Sequence, residues 1–238
     1  EGCTAGKYKL QPDMKDQQMK VVFRLFAFTI SLLTYLLCLE PSASFWDCSE
    51  FIACAGKLEI GHAPGAPVYL ILGRFFSFFA FGNSEYIALA INALSAVASA
   101  LTVLLLFDII YWFAEKLQKN SAKKHENSGS VFVSTIAALI GALAYAFSDS
   151  FWFSAVEAEV YATSSLFSAL VFWCIIKYEQ EANGWQANRW LVLIFFLLGL
   201  SVGIHLLNLL ALPAMALVVY FKHFKQSKLN FTVAISLS

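Results

Sequence analysis

Two carboxylates and a histidine occur close together near the start of the chain, where the surrounding sequence is strongly apolar. Asp47 and Glu50 are three positions apart, and His62 begins a turn that contains two prolines and a glycine. A carboxylate packed against aromatic side chains can act as a general base toward a hydroxyl, because partial burial raises its pKa. Asp47 could instead have a purely structural role at position N3 of a helix whose N-cap is Ser44.

Other polar side chains stand near or within apolar segments, and each has a functional and a structural interpretation. Glu50 could help to hold a metal ion, or it could form an ion pair with Lys57 or Arg74. Arg74 could reach the membrane interface, or it could bind a phosphate, because a guanidinium matches phosphate geometry. His205 and Asn208 could line a cavity, or they could hydrogen-bond to a neighbouring helix. His62 could likewise be a site residue or a packing residue.

A second acidic pair, Glu157 and Glu159, lies much further along the chain in the segment 148–160. Residues two positions apart on a helix point in different directions. At most one of these two carboxylates is therefore expected to face the same cavity as Asp47.

The composition is that of an integral membrane protein. Of the 238 residues, 59% are hydrophobic and only 13% are charged, whereas soluble domains contain about 25% charged residues. The net charge is zero, so the composition gives no indication of nucleic-acid binding. The spacing and composition of the apolar runs are typical of helices. The sequence therefore predicts an all-α, polytopic transmembrane helical bundle.

The elements that must position the candidate residues are runs of membrane length separated by polar loops. The first outer loop is predicted at 40–67, with a short helix from 45 to about 58. Residues 68–81 are apolar but short, which favours an interfacial or re-entrant helix. The predicted spans are 21–39, 86–113, 131–147, 161–176, and two short crossings within 190–221 that meet near His205.

Charge asymmetry predicts the orientation. Basic residues cluster in segments 1–20, 114–130 and 222–228, and such clusters favour the cytoplasmic side. Residues 1–20 are therefore predicted to be a cytoplasmic segment, and residues 21–238 to form a single transmembrane domain with the acidic candidates on the opposite face. The apolar run 229–238 is shorter than the roughly 20 residues that a span needs, so we expect the sequence to be part of a longer protein.

Four blocks of the sequence, in the same order, resemble the protein O-mannosyltransferase-like family of bacterial membrane proteins, within the C-type glycosyltransferase superfamily. The resemblance covers about residues 20–220. It departs from the pattern of protein O-mannosyltransferases in two places: the first acidic residues are three apart instead of adjacent, and the turn reads HAP where HPP is commoner. The four blocks are FWDCSEFI, GHAPGAPVYLILGRFFS, FSAVEAEVYATSSLF and GLSVGIHLLNLL.

The resemblance implies a C-type fold with interfacial helices in the first outer loop. It also implies transfer of a mannose-like sugar, with inversion, from a polyprenyl-phosphate donor to a Ser or Thr hydroxyl of an acceptor protein. The reaction would take place on the non-cytoplasmic face of a bacterial inner membrane. Asp47 would be the base with Glu50 beside it, and Glu159 would be the second acidic residue. His62 would shape the site, and His205 would line the cavity.

A cationic side chain should lie near the leaving phosphate, and Arg74, Lys57 or His205 could supply it. No metal-binding motif occurs, so the sequence predicts no metal site and gives no support for a divalent metal. Two alternatives remain open. The protein could be a non-catalytic lipid-binding or assembly subunit on the same scaffold, or a transporter with a site near His205.

Overall fold

The computed structural model describes residues 14–121, 129–182 and 184–224, and every regular element in these ranges is helical. Short 3-10 turns follow α3 at Phe78–Ala80, precede α4 at Ser84–Tyr86, and separate α8 from α9 at Leu206–Leu210. The α-helices are α1 (Met14–Leu37), α2 (Cys48–Lys57), α3 (Pro67–Ser77), α4 (Ile87–Ser121), α5 (Gly129–Ala146), α6 (Asp149–Val156), α7 (Val160–Gln180), α8 (Trp185–Val202) and α9 (Ala211–His223).

Within the described residues, five helical segments are long and apolar enough to cross a membrane. A sixth crossing results if α5 and α6, which are bent by 65° relative to each other, form one broken span. These helices confirm the prediction of an all-α, polytopic membrane bundle. The five segments are Met14–Leu37, Ser84–Lys119, Val160–Gln180, Trp185–Val202 and Leu206–His223.

The short helix after the first outer loop, the break between the last two spans and the two ends of the chain each bear on a sequence prediction. The apolar helix Pro67–Ala80 is shorter than these spans, and its interfacial or re-entrant placement stays a prediction. A break separates α8 from α9 next to His205, as the sequence predicts. The apolar run 229–238 and most of the segment 1–20 lie outside the described residues.

The predicted capping box at the first outer helix is wrong. Helix α2 begins at Cys48, and its N-cap is Asp47, whose side chain makes no capping hydrogen bond. The reason is the backbone at Trp46, whose φ of 56° is left-handed and cannot belong to a right-handed helix. Ser44 is therefore separated from the helix, and the Asp47 carboxylate is directed to other partners.

Helix α4 is the central helix of the bundle and packs against α1, α5 and α7. Small side chains are buried along it, and small residues let helix backbones approach closely in a membrane. A Cβ atom at Gly141 of α5 would lie 2.8 Å from the Cδ1 atom of Ile110 on α4, so a larger residue there would have to displace the end of this side chain. The buried small residues of α4 include Ser95, Ala96, Ala98, Ser99 and Ala100.

An ion pair connects α1 to α4. Asp108 Oδ2 accepts a hydrogen bond from Arg24 Nη1 at 3.1 Å, and its Oδ1 lies 3.6 Å from Lys20 Nζ. Charges inside a membrane protein are stable when they are paired with one another. The pair therefore fixes the contact between the two helices on which the bundle is built.

The connection between α8 and α9 is joined to the start of α3 by backbone hydrogen bonds. The carbonyl of Gly203 accepts the N–H groups of Val68 at 2.8 Å and Tyr69 at 3.4 Å. The first N–H groups of a helix have no partner within the helix. Pro67 at position N1 has no N–H, which reduces the number of such groups by one. Gly203 thus caps α3 from a distant part of the chain, and it brings the turn at 62–66 next to His205.

The close approach at Gly203 leads to a test of this connection. A Cβ atom there would lie 2.5 Å from Val68 Cγ2. We expect Gly203→Ala to lower the free energy of unfolding by about 1–3 kcal/mol through overpacking. The measurement is thermal unfolding in detergent, followed by tryptophan fluorescence.

Two further variants make this test specific. Adding Val68→Ala to Gly203→Ala should restore part of the lost stability, because it removes the clashing methyl groups. Gly199→Ala on the same helix is the matched control, since nothing lies within 4 Å of its added Cβ. If the double variant were no more stable than Gly203→Ala alone, the contact would not be the cause.

Candidate functional site

The candidate site begins at Asp47, directly before α2. The left-handed residue Trp46 turns the chain at this point, and the Asp47 side chain is 55% exposed. The backbone carbonyl of Asp47 accepts the N–H of Phe51 at 2.9 Å, which fixes the residue at the start of the helix. The carboxylate itself is left to face the two cavities described below.

Glu50, one turn further along α2, holds His62 in a fixed orientation. Its Oε1 atom accepts the backbone N–H of His62, and its Oε2 atom lies 3.0 Å from His62 Nδ1. A Cβ atom at Gly61 would be 3.1 Å from Glu50 Oε1, so a glycine allows the turn to come this close. The bond occupies Nδ1 and directs Nε2 toward Asp47, whose Oδ2 atom is 3.9 Å away.

This arrangement shifts the pKa values of both groups. The hydrogen bond that the His62 ring donates to Glu50 and the negative charge of that carboxylate raise the pKa of His62, and Asp47 and Glu159 add to the effect. The hydrogen bonds from the backbone and the ring of His62 lower the pKa of Glu50. The imidazole is therefore more readily protonated than a free histidine.

Among the residues that the structure describes, the same three could hold a metal ion. Asp47, Glu50 and His62 each offer a ligand atom, and these atoms all lie within 4.8 Å of one another. Their oxygen and nitrogen atoms suit a divalent cation. The hydrogen bond between Glu50 and His62 already gives two of the three side chains a partner in the absence of a bound cation.

The first cavity has a volume of about 490 Å³ and is lined by both polar and apolar side chains. Asp47, His62, Glu159 and His205 contribute its polar groups. Its apolar wall comes from the connection between α8 and α9 and from the start of α9, and it consists of Ile204, Leu206, Leu207, Leu209, Leu210 and Pro213. Four sequence-predicted site residues, from three separate parts of the chain, thus meet at one cavity.

The second cavity, of about 670 Å³, lies on the other side of Asp47. Asp47, Glu159 and Tyr161 border both cavities, and we call these three residues the shared wall. The remaining lining comes from Trp46, from α6 and from the α6–α7 connection: Asp149, Ser150, Phe153, Ser154 and Glu157.

The prediction that at most one of Glu157 and Glu159 faces the cavity of Asp47 is wrong, because both line the second cavity. The prediction assumed a helix, whereas the two residues belong to the non-helical connection between α6 and α7, with φ near −130° at each. The connection is bent, since the N–H of Glu159 bonds to the carbonyl of Glu157 at 3.0 Å, and both residues border the same cavity.

Burial controls the protonation of both acids. Burial, together with the negative charges of Glu157 and Asp47, raises the pKa of Glu159 to about 7, against hydrogen bonds from the backbone N–H groups of Val160 and Asp47. Burial also raises the pKa of Glu157, while a hydrogen bond with Ser44 opposes the shift. Glu159 is only 5% exposed, and near neutral pH it exists in both the charged and the neutral form.

His205 and Asn208 have different surroundings, although they are only three positions apart. His205 lines the first cavity, its Nδ1 atom accepts the N–H of Leu207 at 3.3 Å, and its ring centroid is 5.5 Å from that of Tyr161. Asn208 is buried away from both cavities, and its Oδ1 atom accepts hydrogen bonds from the hydroxyls of Ser164 and Ser168. Asn208 therefore connects the 3-10 turn to α7.

Lys57 and Arg74 do not reach either cavity. Lys57 is exposed and lies 4.0 Å from Glu59, and Arg74 donates a hydrogen bond to the carbonyl of Gly56 and stacks over Phe78. The sequence alternative in which either of them pairs with Glu50 is replaced by the Glu50–His62 pair. Arg74 instead satisfies a carbonyl at the end of α2, where helix carbonyls lack partners.

Trp46, Asp149 and Tyr161 are cavity residues that the sequence argument did not single out. Tyr161 belongs to the AEVY segment that carries Glu159, and Trp46 directly precedes Asp47, so their proximity to candidate residues was the available signal. Nothing in the spacing of Asp149 distinguishes it from other loop carboxylates.

The raised pKa of Glu159 leads to a prediction about stability. An unfolded glutamate releases its proton near pH 4.5, whereas Glu159 in the folded protein does so near pH 7. Its charged form is disfavoured by folding, so this residue lowers stability progressively as the pH rises through that window. We expect Glu159→Gln to stabilise the protein relative to wild type at pH 8 by up to about 3 kcal/mol, and less at pH 5.5.

The measurement is the unfolding temperature of both proteins at the two pH values. Glu85→Gln, at an exposed carboxylate in the loop before α4, is the control and should show the same difference from wild type at both. An equal stabilisation by Glu159→Gln at pH 5.5 and pH 8 would contradict the assigned burial of the charge.

Comparisons with known proteins show which family the chain belongs to. The family model of the protein O-mannosyl-transferase TMEM260 N-terminal domain matches residues 47–228, and so includes the whole site from Asp47 to His205. The protein O-mannosyl-transferase TMEM260 of Mus musculus is 23% identical over 215 residues, which are 90% of this chain and 27% of the mouse protein. The protein O-mannosyl-transferase tmem260 of Dictyostelium discoideum is 21% identical over 153 residues, which are 64% of this chain and 16% of that protein.

The chain thus spans about a quarter or less of the length of these curated relatives. No solved structure matches it. The resemblance to O-mannosyltransferase-like proteins is confirmed, because the family model covers more than half of the sequence and all of the candidate site. The chain belongs to the family of TMEM260 N-terminal domains.

Proposed function

We propose that the protein transfers a mannose-like sugar from a polyprenyl-phosphate donor to a Ser or Thr hydroxyl of an acceptor protein. The observation that carries this proposal is the first cavity, where Asp47, His62, Glu159 and His205 face a wall of leucines that belongs to membrane helices. A sugar phosphate with an isoprenoid tail has the same division into a polar and an apolar part. The names of the relatives, which are protein O-mannosyl-transferases, support the same chemistry.

The donor occupies the first cavity in this proposal. Its isoprenoid tail lies against the leucines at 206–210, and its sugar phosphate lies next to the polar side chains of Asp47, His62 and Glu159. The phosphate leaves as an anion, and a nearby cation stabilises the charge that develops on it. His62, whose pKa is raised by Glu50, is the cavity residue best suited to this role, and His205 is the second candidate. Lys57 and Arg74 lie too far from the cavity to serve.

Asp47 acts as the general base. Its carboxylate takes the proton of the acceptor hydroxyl, and the hydroxyl oxygen attacks the anomeric carbon of the sugar. The bond between that carbon and the phosphate oxygen breaks with inversion, and the polyprenyl phosphate leaves with both electrons of the bond. Asp47 suits this role because its side chain makes no helix-capping bond and borders both cavities. Glu159, when neutral, donates a hydrogen bond to the sugar or to the acceptor.

We also propose that the site faces the non-cytoplasmic side of a bacterial inner membrane, with the N-terminus in the cytoplasm. Helix α7 starts beside the site at Glu159 and has 21 residues, so its other end is about 30 Å away, which is the thickness of the hydrocarbon core. At that other end, Lys116 of α4 pairs with Glu179 and Lys222 of α9 bonds to Tyr178. Basic residues favour the cytoplasmic side.

The substitution Asp47→Asn tests the proposed base. It removes the proton acceptor with little change in volume, and we expect transfer to fall by about 100- to 10,000-fold. The measurement is transfer of radiolabelled mannose from a polyprenyl-phosphate donor to an acceptor protein, at matched expression in membranes. Glu59→Gln, at an exposed outer-loop carboxylate that lines neither cavity, is the control and should retain activity.

The result also separates the alternatives. Full activity of Asp47→Asn would remove this residue from the mechanism. A non-catalytic lipid-binding subunit would show donor binding without transfer in the wild type. A transporter would show a flux of substrate that is lost in His205→Ala and is unaffected by Asp47→Asn.

A double-mutant cycle tests the link between Glu50 and His62. If Glu50 acts by orienting and charging the imidazole, Glu50→Gln and His62→Ala each lower kcat/KM by roughly tenfold, and the double variant is little worse than either one. Glu50→Gln should also shift the pH at which His62 loses its proton to a lower value, because the raising charge is gone. Additive losses in the double variant would mean that the two residues act separately.

A further inference from the structure

The second cavity combines several carboxylates with aromatic side chains. Asp47, Asp149, Glu157 and Glu159 line it, and none of its described lining residues is a lysine, arginine or histidine. The imidazole of His62, which lies 3.9 Å from the lining residue Asp47, is already hydrogen-bonded to Glu50. Like charges that share a cavity repel one another, so a ligand that brings a positive charge is favoured there.

One of these carboxylates is missing a partner. Glu157 is only 2% exposed, and its Oε2 atom is buried without a hydrogen-bond partner among the residues that the structure describes. A buried polar atom that is left unsatisfied is costly, and such atoms in native proteins usually have a partner. Because Glu157 lines the second cavity, a donor group on a bound molecule can supply the missing bond.

Trp46, at the edge of the same cavity, is held in an unusual conformation. It is 85% exposed, and its φ of 56° is uncommon for a residue that is not glycine. Strained backbone of this kind concentrates at functional sites, and exposed tryptophans are common anchors for binding partners. Phe153 and Tyr161 add further aromatic surface to the lining.

We infer that the second cavity binds the acceptor polypeptide, and that it selects acceptors with a lysine or arginine close to the modified Ser or Thr. This inference rests on the proposed function. The hydroxyl reaches Asp47 at the shared wall, and the basic side chain reaches Glu157 and Asp149 further along the cavity. Trp46 packs against the acceptor backbone at the opening.

The size of the cavity limits where the basic residue can be. A volume of about 670 Å³ corresponds to a width of about 9 Å, and an extended chain advances about 3.3 Å per residue. The charged side chain therefore belongs to a residue within about two positions of the hydroxyl. Asp149 is exposed on the first turn of α6, where an incoming side chain meets it first.

The test uses polyprenyl-phosphate mannose and three peptides of equal length. Each peptide contains one threonine, and the residues two positions before and after it are both Lys, both Gln or both Glu. We expect the wild-type protein to show kcat/KM values in the order Lys, Gln, Glu, with about a three- to tenfold difference between the Lys and Gln peptides. Raising the salt concentration from 50 to 500 mM should reduce the difference, because salt screens charges.

Two charge variants identify the source of the preference. Asp149→Lys should reverse the order of the Lys and Glu peptides, and Glu157→Gln should bring the Lys to Gln ratio close to one. Asp149 is on the surface, so its variant remains informative even if Glu157→Gln fails to fold. Glu59→Lys is the matched control, since it reverses an outer-loop charge outside both cavities and should leave the wild-type order intact.

The possible failures are distinguishable. Mannose transfer at equal rates to all three peptides would overturn this inference and leave the proposed function in place. A preference for the Lys peptide that persists in Asp149→Lys and in folded Glu157→Gln would remove the second cavity as its origin. Transfer to none of the peptides by the wild type would contradict the proposed function and this inference together.

Discussion

The carbonyl of Gly203 holds together the parts of the chain that form the first cavity. It accepts the N–H groups at the start of α3, so that the turn carrying His62 is fixed against the connection carrying His205. A helix start needs partners for its free N–H groups, and here the partner is a distant backbone atom instead of a neighbouring side chain. The contact is possible only without a side chain at position 203, since a Cβ atom would meet Val68 at 2.5 Å. The need of α3 for hydrogen-bond acceptors at its first N–H groups thereby determines where the wall that carries His205 lies.

The location of the site is explained by where a membrane protein tolerates polar groups. The spans supply apolar surface and a rigid frame, and the segments that join them supply the carboxylates and imidazoles. Each charged group of the site has a local reason for its state. Glu50 is stabilised as an anion by the N–H groups of His62, His62 is stabilised as a cation by Glu50, and Glu159 is driven toward the neutral form by burial. A base, a cation and a proton donor can therefore coexist at one pH within a small volume.

The sequence predicts the spans well because apolar runs of membrane length leave few alternatives to a helix. It also indicates that Asp47, His62, Glu159 and His205 belong to one site, since all four stand in blocks that resemble one family. It fails where the backbone leaves the helical conformation. Trp46 adopts a left-handed conformation, which displaces the start of α2, and the non-helical connection between α6 and α7 lets Glu157 and Glu159 line one cavity. The sequence could not predict the hydrogen-bond partners of Glu50 and Arg74 either, because they depend on which loops and helix ends meet in three dimensions.

The ion pair between Arg24 and Asp108 has a consequence for the biogenesis of the protein. The two residues are 84 positions apart, so Arg24 leaves the ribosome well before its counter-ion has been made. At a translation rate of roughly 5 to 20 residues per second, the delay is about 4 to 17 s. During this interval the guanidinium must be hydrated or held by the insertion machinery, and α1 can settle into its final place only when α4 arrives. Helix α1 is thus synthesised well before it is locked into the bundle.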